Sequence, residues 1–268
     1  MNEAELLFTD TLDCDRQQLY LNRDSILGKN QGRLIAGALL RRAAGEPLQY
    51  ILAKTEFMGG EFKLSPDVFI PRPETEILTQ VTAMIALKRL RTARRRLRIL
   101  DLCTGSGCIA VSLAKMLPNA DITAADISRK ALDIAALNAG LHKVEDRIHF
   151  VESDLFVSLP ICDMRYAICV CNPPYIPAAE ISSLQPEISY EPRLALDGGS
   201  EGLDFYRRII PAAGEYLEKE GFLILEIGFG QYPRIREFFR EREEFASIEV
   251  IRDYNGFERV VIAQKWIK

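Results

Sequence analysis

Leu97-Arg-Ile-Leu-Asp-Leu102, followed by Cys103-Thr-Gly-Ser-Gly107, is the stretch on which the fold turns. A short apolar run closed by a glycine-rich tight turn, then residues 108–116 with apolar positions at helical spacing, reads as strand, turn, helix. The pattern repeats downstream. Strands are expected over 120–125 (closed by Asp126), 148–152, 166–171 and 221–226, with helices over 129–138, 205–217 and 232–240. Alternation of this kind is the signature of a parallel α/β sheet. The last two strands, 247–251 and 259–263, have no helix between them and predict a terminal antiparallel hairpin. No internal repeat or low-complexity segment interrupts the pattern.

Upstream, residues 1–50 read as short helices, with a polar stretch before Gln31-Gly-Arg-Leu-Ile-Ala-Gly-Ala-Leu-Leu-Arg-Arg42. A small helical domain carrying no chemistry usually holds a macromolecular partner. Gly45 and Pro47 end it, and Tyr50-Ile-Leu begins a linker, 51–72, in which Gly59-Gly60 marks a hairpin turn between short strands. Pro73, at a first helical position with Glu74 and Glu76 in the first turn, opens a helix to about residue 87 and the catalytic unit, 73–268. Phe69 and Arg72 precede it, and starting a helix requires neither an aromatic ring nor a cation there. Lys88 to Arg98 holds seven basic residues in eleven, the pattern of a solvated helix end, with RNA contact a minor option.

Composition narrows the function. At 268 residues, 48% hydrophobic and 27% charged, the chain is long enough for one large domain plus a small one. A net charge of −4 argues against broad, unspecific nucleic-acid binding and for no stable nucleic-acid partner. No apolar run approaches the roughly 18 residues of a membrane helix, and Met1-Asn-Glu-Ala-Glu5 lacks the basic start of a signal peptide, so a soluble, cytoplasmic protein is expected. Six cysteines occur without a Cys-x-x-Cys, and the two histidines, His142 and His149, form no ligand cluster. Neither a metal site nor a histidine-based triad is expected.

The chemistry concentrates at strand ends. Gly105 and Gly107 let backbone approach a ligand, and Asp126, nineteen residues past Gly107, is placed to accept ribose hydroxyls, although a helix N-cap is a fair competitor. Alanine at position 110 breaks Gly-x-Gly-x-x-Gly, and no Gly-Lys-Ser/Thr holds phosphate. Ribose without pyrophosphate points to S-adenosylmethionine. Asn172-Pro-Pro-Tyr175 closes the apolar strand 166–171. Alone it reads as a turn, but at the C-terminal mouth of a parallel sheet it reads as a pocket. There the Asn172 side-chain carbonyl, the backbone carbonyls of Pro173 and Pro174 and the Tyr175 ring suit a planar NH2 group.

Leu100-Asp-Leu-Cys-Thr-Gly-Ser-Gly-Cys-Ile-Ala110 with Asn172-Pro-Pro-Tyr175 resembles class I S-adenosylmethionine-dependent methyltransferases with a Rossmann-like sheet. The last element is shared by adenine-N6 and glutamine-N5 enzymes. Gly45-Glu-Pro-Leu-Gln-Tyr-Ile51 and Phe69-Ile-Pro-Arg-Pro-Glu-Thr-Glu76 resemble the HemK/PrmC family, which methylates the glutamine of the Gly-Gly-Gln motif in class 1 peptide chain release factors. The resemblance implies cofactor contacts at Cys103, Thr104, Gly105, Ser106, Gly107, Asp126 and Asn172. It also implies Phe156 as an adenine neighbour, against which stands simple core packing. Substrate contacts are implied at Phe69, Arg72 and Asn172 to Tyr175, with Asn172, Pro173 and Tyr175 at the reacting nitrogen. Family members usually carry glycine where Cys103 stands and begin about one helix earlier, so a shortened N-terminal domain is expected.

Two rivals remain from the residues. An adenine-N6 methyltransferase on DNA or RNA should show a basic face for a flipped base, and a non-catalytic adapter should show a degraded cofactor turn. The segment 176–204, with Glu180, Glu187, Glu191, Asp197, Glu201 and Asp204 against Arg193, predicts an acidic rim that favours a peptide over a phosphate backbone.

Overall fold

The computed structural model describes residues 2–91, 95–160 and 165–266. Four helices come first: α1 (Glu3–Leu12), α2 (Arg16–Leu21), α3 (Lys29–Ala43) and α4 (Leu48–Ile51). Reciprocal capping by Asn2 with Glu5 and by Asp15 with Gln18 starts the first two, so the polar stretch carries a short helix, 16–21, before an irregular segment, 22–28. Their core is small, built on Leu7, Ile35 and Leu48. Tyr50 does not begin a linker. It is buried, and its hydroxyl donates to the Val68 carbonyl at 2.6 Å.

Strands β1 (Lys54–Phe57) and β2 (Gly60–Lys63) form the expected hairpin, with its turn one residue earlier than read. Gly60 pairs with Phe57, and the turn residues are Met58 and Gly59, with φ of 50° and 68°. A two-residue turn with both φ values positive matches the twist of its strands. Phe57 and Phe62 meet edge to face at 6.0 Å and join the main core. The hairpin is therefore packed onto the catalytic unit. Asn138, fully buried, ties it down by accepting from Lys63 N at 2.7 Å and donating to Lys63 O and Ser106 O.

Helix α5 (Pro73–Leu90) runs a turn past its expected end, with Lys88 and Arg89 in its last turn where the macrodipole favours cations. The sheet that follows has seven strands: β3 (Leu97–Leu102), β4 (Ala120–Asp126), β5 (Ile148–Glu152), β6 (Tyr166–Cys171), β7 (Leu217–Glu226), β8 (Phe245–Arg252) and β9 (Glu258–Lys265). Their spatial order is β5-β4-β3-β6-β7-β9-β8, and only β9 runs antiparallel. The terminal hairpin is present, inserted so that β9 separates β7 from β8. Strand β7 begins at Leu217 rather than 221, directly after α8 (Asp204–Tyr216).

Alternation along β3 sorts its side chains to the two faces. Leu97 and Ile99 pack with α5 and α6 (Cys108–Met116), whereas Leu100 and Leu102 pack with α8 and α9 (Tyr232–Arg240). Helix α7 (Arg129–Leu141) adds Ala139 to the first layer. Full burial of each leucine contributes about 1.5–3 kcal/mol, which fixes the register of the strand. Among the described residues no helix is long and apolar enough to cross a membrane.

Candidate active site

Strand β3 pairs with β4 on one side and β6 on the other, so chain direction across the sheet reverses there and a crevice opens at the strands' C-terminal ends. A cavity of about 400 Å³ fills it. Its walls include Phe69, Arg72 and Thr75, the turn after β3, Asp126, Leu155, Asn172 to Tyr175 and the loop that follows.

The turn is held from beneath. Asp101 is fully buried, and its Oδ2 accepts from the Thr104 hydroxyl at 2.7 Å and from Ala110 N at 3.2 Å. Burial pushes its carboxyl up to about 7. Cys103, with φ of 57°, is left-handed, the conformation for which glycine is the usual residue. Gly105 has open space where a Cβ would stand, beside the cavity. Gly107 does not line the cavity. A Cβ there would lie 2.8 Å from Ala135 Cβ, so this glycine serves the packing of α6 on α7 and not ligand approach. Cys103, Thr104 and Ser106 do line it.

Asp126 ends β4 facing the cavity. Its Oδ2 accepts from Gly105 N at 2.8 Å and its Oδ1 from Ser128 N at 2.9 Å, which leaves each oxygen further acceptor capacity. The cap of α7 is Ser128, whose hydroxyl accepts from Ala131 N, so the N-cap alternative for Asp126 does not hold. Burial raises the Asp126 pKa from its ordinary value, opposed by those backbone N–H groups. Phe156 is not brought to the cavity. A φ of 51° at Leu155 turns the chain so that Leu155 faces inward, while Phe156 is buried against Tyr216 with ring centroids 4.6 Å apart. The cavity fits S-adenosylmethionine in kind. It offers a carboxylate for vicinal hydroxyls and a glycine without a blocking Cβ, and its turn supplies no cation for a phosphate.

Asn172 follows a strand in which every residue is buried. Its Nδ2 donates to Thr75 Oγ1 at 3.2 Å, so the NH2 end is engaged with α5 and Oδ1 remains as acceptor. Pro173 and Pro174 are buried beside it. The Tyr175 hydroxyl donates to Glu226 Oε1 at 3.3 Å, and burial raises its pKa. Gln231 Nε2 donates to the Tyr175 carbonyl at 2.9 Å and to that of Gly202 at 3.1 Å. Arg72 lies 4.7 Å over the Phe69 ring and pairs with Glu191, which also accepts from Ile70 N at 3.1 Å.

Ion pairing of that kind neutralises five of the six acids of the expected rim, all but the exposed Glu180. Glu187 pairs with Arg42, Glu191 with Arg72, Asp197 with Arg193, and Glu201 and Asp204 with Arg207. Toward the cavity the loop turns Ile188, Leu194 and Leu196 instead. The basic run stands at the N-terminal end of β3, away from the cavity, where Arg89 and Arg95 reach Glu218 and Arg96 reaches Asp121. Its residues Thr92, Ala93 and Arg94 lie outside the described residues. Thr75, Glu226 and Gln231 escaped sequence reading, and Glu191 was read as a rim acid rather than as the partner of Arg72. The one signal was an acid, Glu226, closing the apolar run Phe222-Leu-Ile-Leu225.

Comparison with known proteins completes the picture. Residues 1–52 match the family model described as PrmC N-terminal domain, and residues 78–187 match Methyltransferase small domain. Among solved structures, the hMettl16 catalytic domain with a 3′UTR hairpin superposes with a TM-score of 0.60 at 15% identity, over 90% of this chain and 83% of that one. A T. thermophilus 16S rRNA methyltransferase bound to AdoMet and guanosine gives 0.53 at 18%, over 79% of this chain and 49% of that one. Both likenesses concern the fold alone. The release factor glutamine methyltransferase of Geobacter sulfurreducens is 44% identical over 97% of this chain and 87% of its own length. That of Thermodesulfovibrio yellowstonii is 40% identical over 99% and 92%. With that identity across nearly the full length of both partners, the chain belongs to the HemK/PrmC family of release factor glutamine methyltransferases.

Proposed function

We propose that the protein methylates the side-chain N5 nitrogen of the glutamine in the Gly-Gly-Gln motif of class 1 peptide chain release factors, in the cytoplasm. The observation that carries the chemistry is the Asn172 carboxamide, tied by its NH2 to Thr75 and left with Oδ1 as an acceptor at the mouth of β6. Membership of the family carries the choice of acceptor, in place of the acidic rim.

S-adenosylmethionine, when bound, supplies an electrophilic methyl group on a sulfonium. The chain's residues must make a poor nucleophile competent, because an amide nitrogen shares its lone pair with its carbonyl. Asn172 Oδ1 and the Pro173 carbonyl accept the two N–H bonds of the glutamine amide, which fixes the amide plane and leaves the nitrogen lone pair open to methylation. The same two acceptors stabilise positive charge as it develops on nitrogen. Tyr175 packs on the amide and excludes water. No strong base is needed, because the N-methylated amide cation is acidic and sheds its extra proton readily as the sulfonium becomes a neutral thioether. Asp126 holds the ribose hydroxyls, with Cys103, Thr104, Gly105 and Ser106 around the methionine portion. Phe69 and Arg72 close the site, with Arg72 held by Glu191. Residues 1–50 serve as the partner-binding domain, 51–72 as the hairpin linker and 73–268 as the catalytic domain.

The test compares three methyl acceptors with one enzyme preparation: a release factor, its Gln→Ala variant, and adenine-containing DNA. Label is expected on the first alone. Stronger labelling of DNA would show an adenine-N6 enzyme, the reading that the Asn-Pro-Pro-Tyr element shares.

A further inference from the structure

Behind the Asn-Pro-Pro-Tyr element lies an acid that the reaction described so far does not use. Glu226, the last residue of β7, is 0% exposed, and its Oε2 has no hydrogen-bond partner among the described residues. A buried carboxyl with unused acceptor capacity is costly and asks for a role. Its surroundings are specific. Oε1 accepts from the Tyr175 hydroxyl at 3.3 Å, and Tyr206 donates to the Glu226 backbone carbonyl at 2.9 Å. Of the neighbours that favour its ionised form, the Thr75 hydroxyl is the strongest, ahead of Arg259 and Tyr175, while Glu74 opposes it. Arg259 is itself engaged by Asp253 at 3.1 Å and by the Ile227 carbonyl at 3.0 Å. It therefore tempers the buried charge without pairing directly with it.

The polarity of this chain of groups decides which end of Asn172 faces the cavity. A carboxylate only accepts; a hydroxyl has one proton to give. If Thr75 gives its proton to Glu226, only lone pairs remain toward Asn172, and the carboxamide must present its NH2 to Thr75. We propose that Glu226 is a positioning residue for methyl transfer: its buried, unpartnered Oε2 is the acceptor to which the Thr75 hydroxyl turns its proton, which locks the Asn172 carboxamide with Oδ1 toward the substrate amide, while Oε1 holds Tyr175. The proposal rests on the reading of Asn172 as the acceptor for the glutamine NH2. A flipped carboxamide sets NH2 against NH2, which repels the substrate group it should orient.

Protonation reverses the polarity. A neutral Glu226 can donate to Thr75, which frees the Thr75 proton to point at Asn172 and permits the flip. Burial, opposed by Thr75, Arg259 and Tyr175, pushes this carboxyl up to about 7, so the flip falls within an accessible pH range. Turnover at saturating cofactor and release factor should then decline on the acid side of that value. Asp101, Asp126 and Glu191 are also buried acids with raised pKa, but they touch the cofactor turn and the loop rather than Asn172. A limb due to Glu226 must therefore vanish with Glu226 alone.

The experiment measures kcat and KM for a release factor between pH 5.5 and 9, with cofactor affinity by calorimetry and Tm, for Glu226→Gln, Thr75→Val, Thr75→Ser and Asn172→Ala. Glu226→Gln and Thr75→Val should each lower kcat by about 10- to 100-fold, as a misoriented group does. Cofactor affinity should stay within about twofold, since neither residue is assigned to the cofactor. The acid limb should disappear in Glu226→Gln, and Thr75→Ser, which keeps the hydroxyl, should restore turnover. A purely structural residue would lower Tm without removing the limb or being rescued by serine. Wild-type kcat and an unchanged acid limb in Glu226→Gln overturn the proposal. If that variant does not fold, wild-type kcat in Thr75→Val overturns it equally. Undiminished turnover in Asn172→Ala would instead remove the reading on which the proposal rests.

Discussion

Cys103 holds a backbone conformation that an L side chain adopts at a cost of about 1–2 kcal/mol, directly beside the cofactor turn. Cys103→Gly should relieve that strain. Glycine's greater freedom in the unfolded chain offsets about 0.5–1 kcal/mol of the gain. A net stabilisation of up to about 1.5 kcal/mol is expected in chemical denaturation, with cofactor affinity retained; a loss of stability would mean that the thiol's contacts in this pocket outweigh the strain. The same turn shows what was legible residue by residue. Gly105, Asp126 and Asn172 were readable because each is a specific type at a strand end, where an α/β sheet binds ligands. Gly107 and Phe156 misled because glycine also serves helix packing and phenylalanine also serves a core, and only a positive φ at Leu155 decides which neighbour faces inward. Thr75 and Glu226 were invisible as a pair, since 150 residues of chain lie between them and only the fold brings them near one another.

The elements were legible to the extent that their burial is periodic. Strand β6 is a continuous apolar run because both faces are covered, and β5 and α9 match their expected bounds. The start of β7 was missed because Glu218, Lys219 and Glu220 look like a loop, although that end of the strand is solvent-facing. The loop 172–203 was legible as long and proline-rich, but not as a wall. Its ordering depends on ion pairs with distant helices, above all Glu191, whose side chain is 1% exposed and which accepts from Ile70 N as well as pairing with Arg72. Glu191→Ala leaves Arg72 and that N–H without their partner, at a cost of about 1–3 kcal/mol of local stability. Hydrogen exchange over 186–196 should accelerate and KM for a release factor should rise. Unaltered protection there would mean that the 3₁₀ turns of the loop hold it without Glu191.

At the scale of the whole molecule, the helical unit is fastened to the catalytic unit by specific contacts. Lys54 pairs with Asp10, Arg42 with Glu187, and the Tyr190 hydroxyl donates to the Ala44 carbonyl at 2.9 Å. The unit still leaves Ile26 at 99% and Leu40 at 73% exposure, apolar side chains that its small core does not use. Exposed apolar groups on a helical unit fastened to a catalytic unit that takes a protein substrate are expected to contact that substrate. The double substitution Ile26→Asp/Leu40→Asp should raise KM for an intact release factor by about tenfold, while leaving turnover of a short Gly-Gly-Gln peptide unchanged. Equal effects on both substrates would place the lesion in folding. In the basic run, by contrast, Arg89 and Arg95 are engaged by Glu218 and Arg96 by Asp121 at the far end of the sheet. What remains central is a methyl group delivered to an amide that Asn172 orients. Single-turnover labelling of a release factor, mapped to the residue by peptide mass spectrometry and run beside Asn172→Ala with cofactor affinity measured in parallel, tests this most directly. The label should sit on the Gly-Gly-Gln glutamine, and Asn172→Ala should slow its appearance by about 100-fold, far more than it weakens cofactor binding. Label on another residue, or an undiminished rate in the variant, would contradict the account.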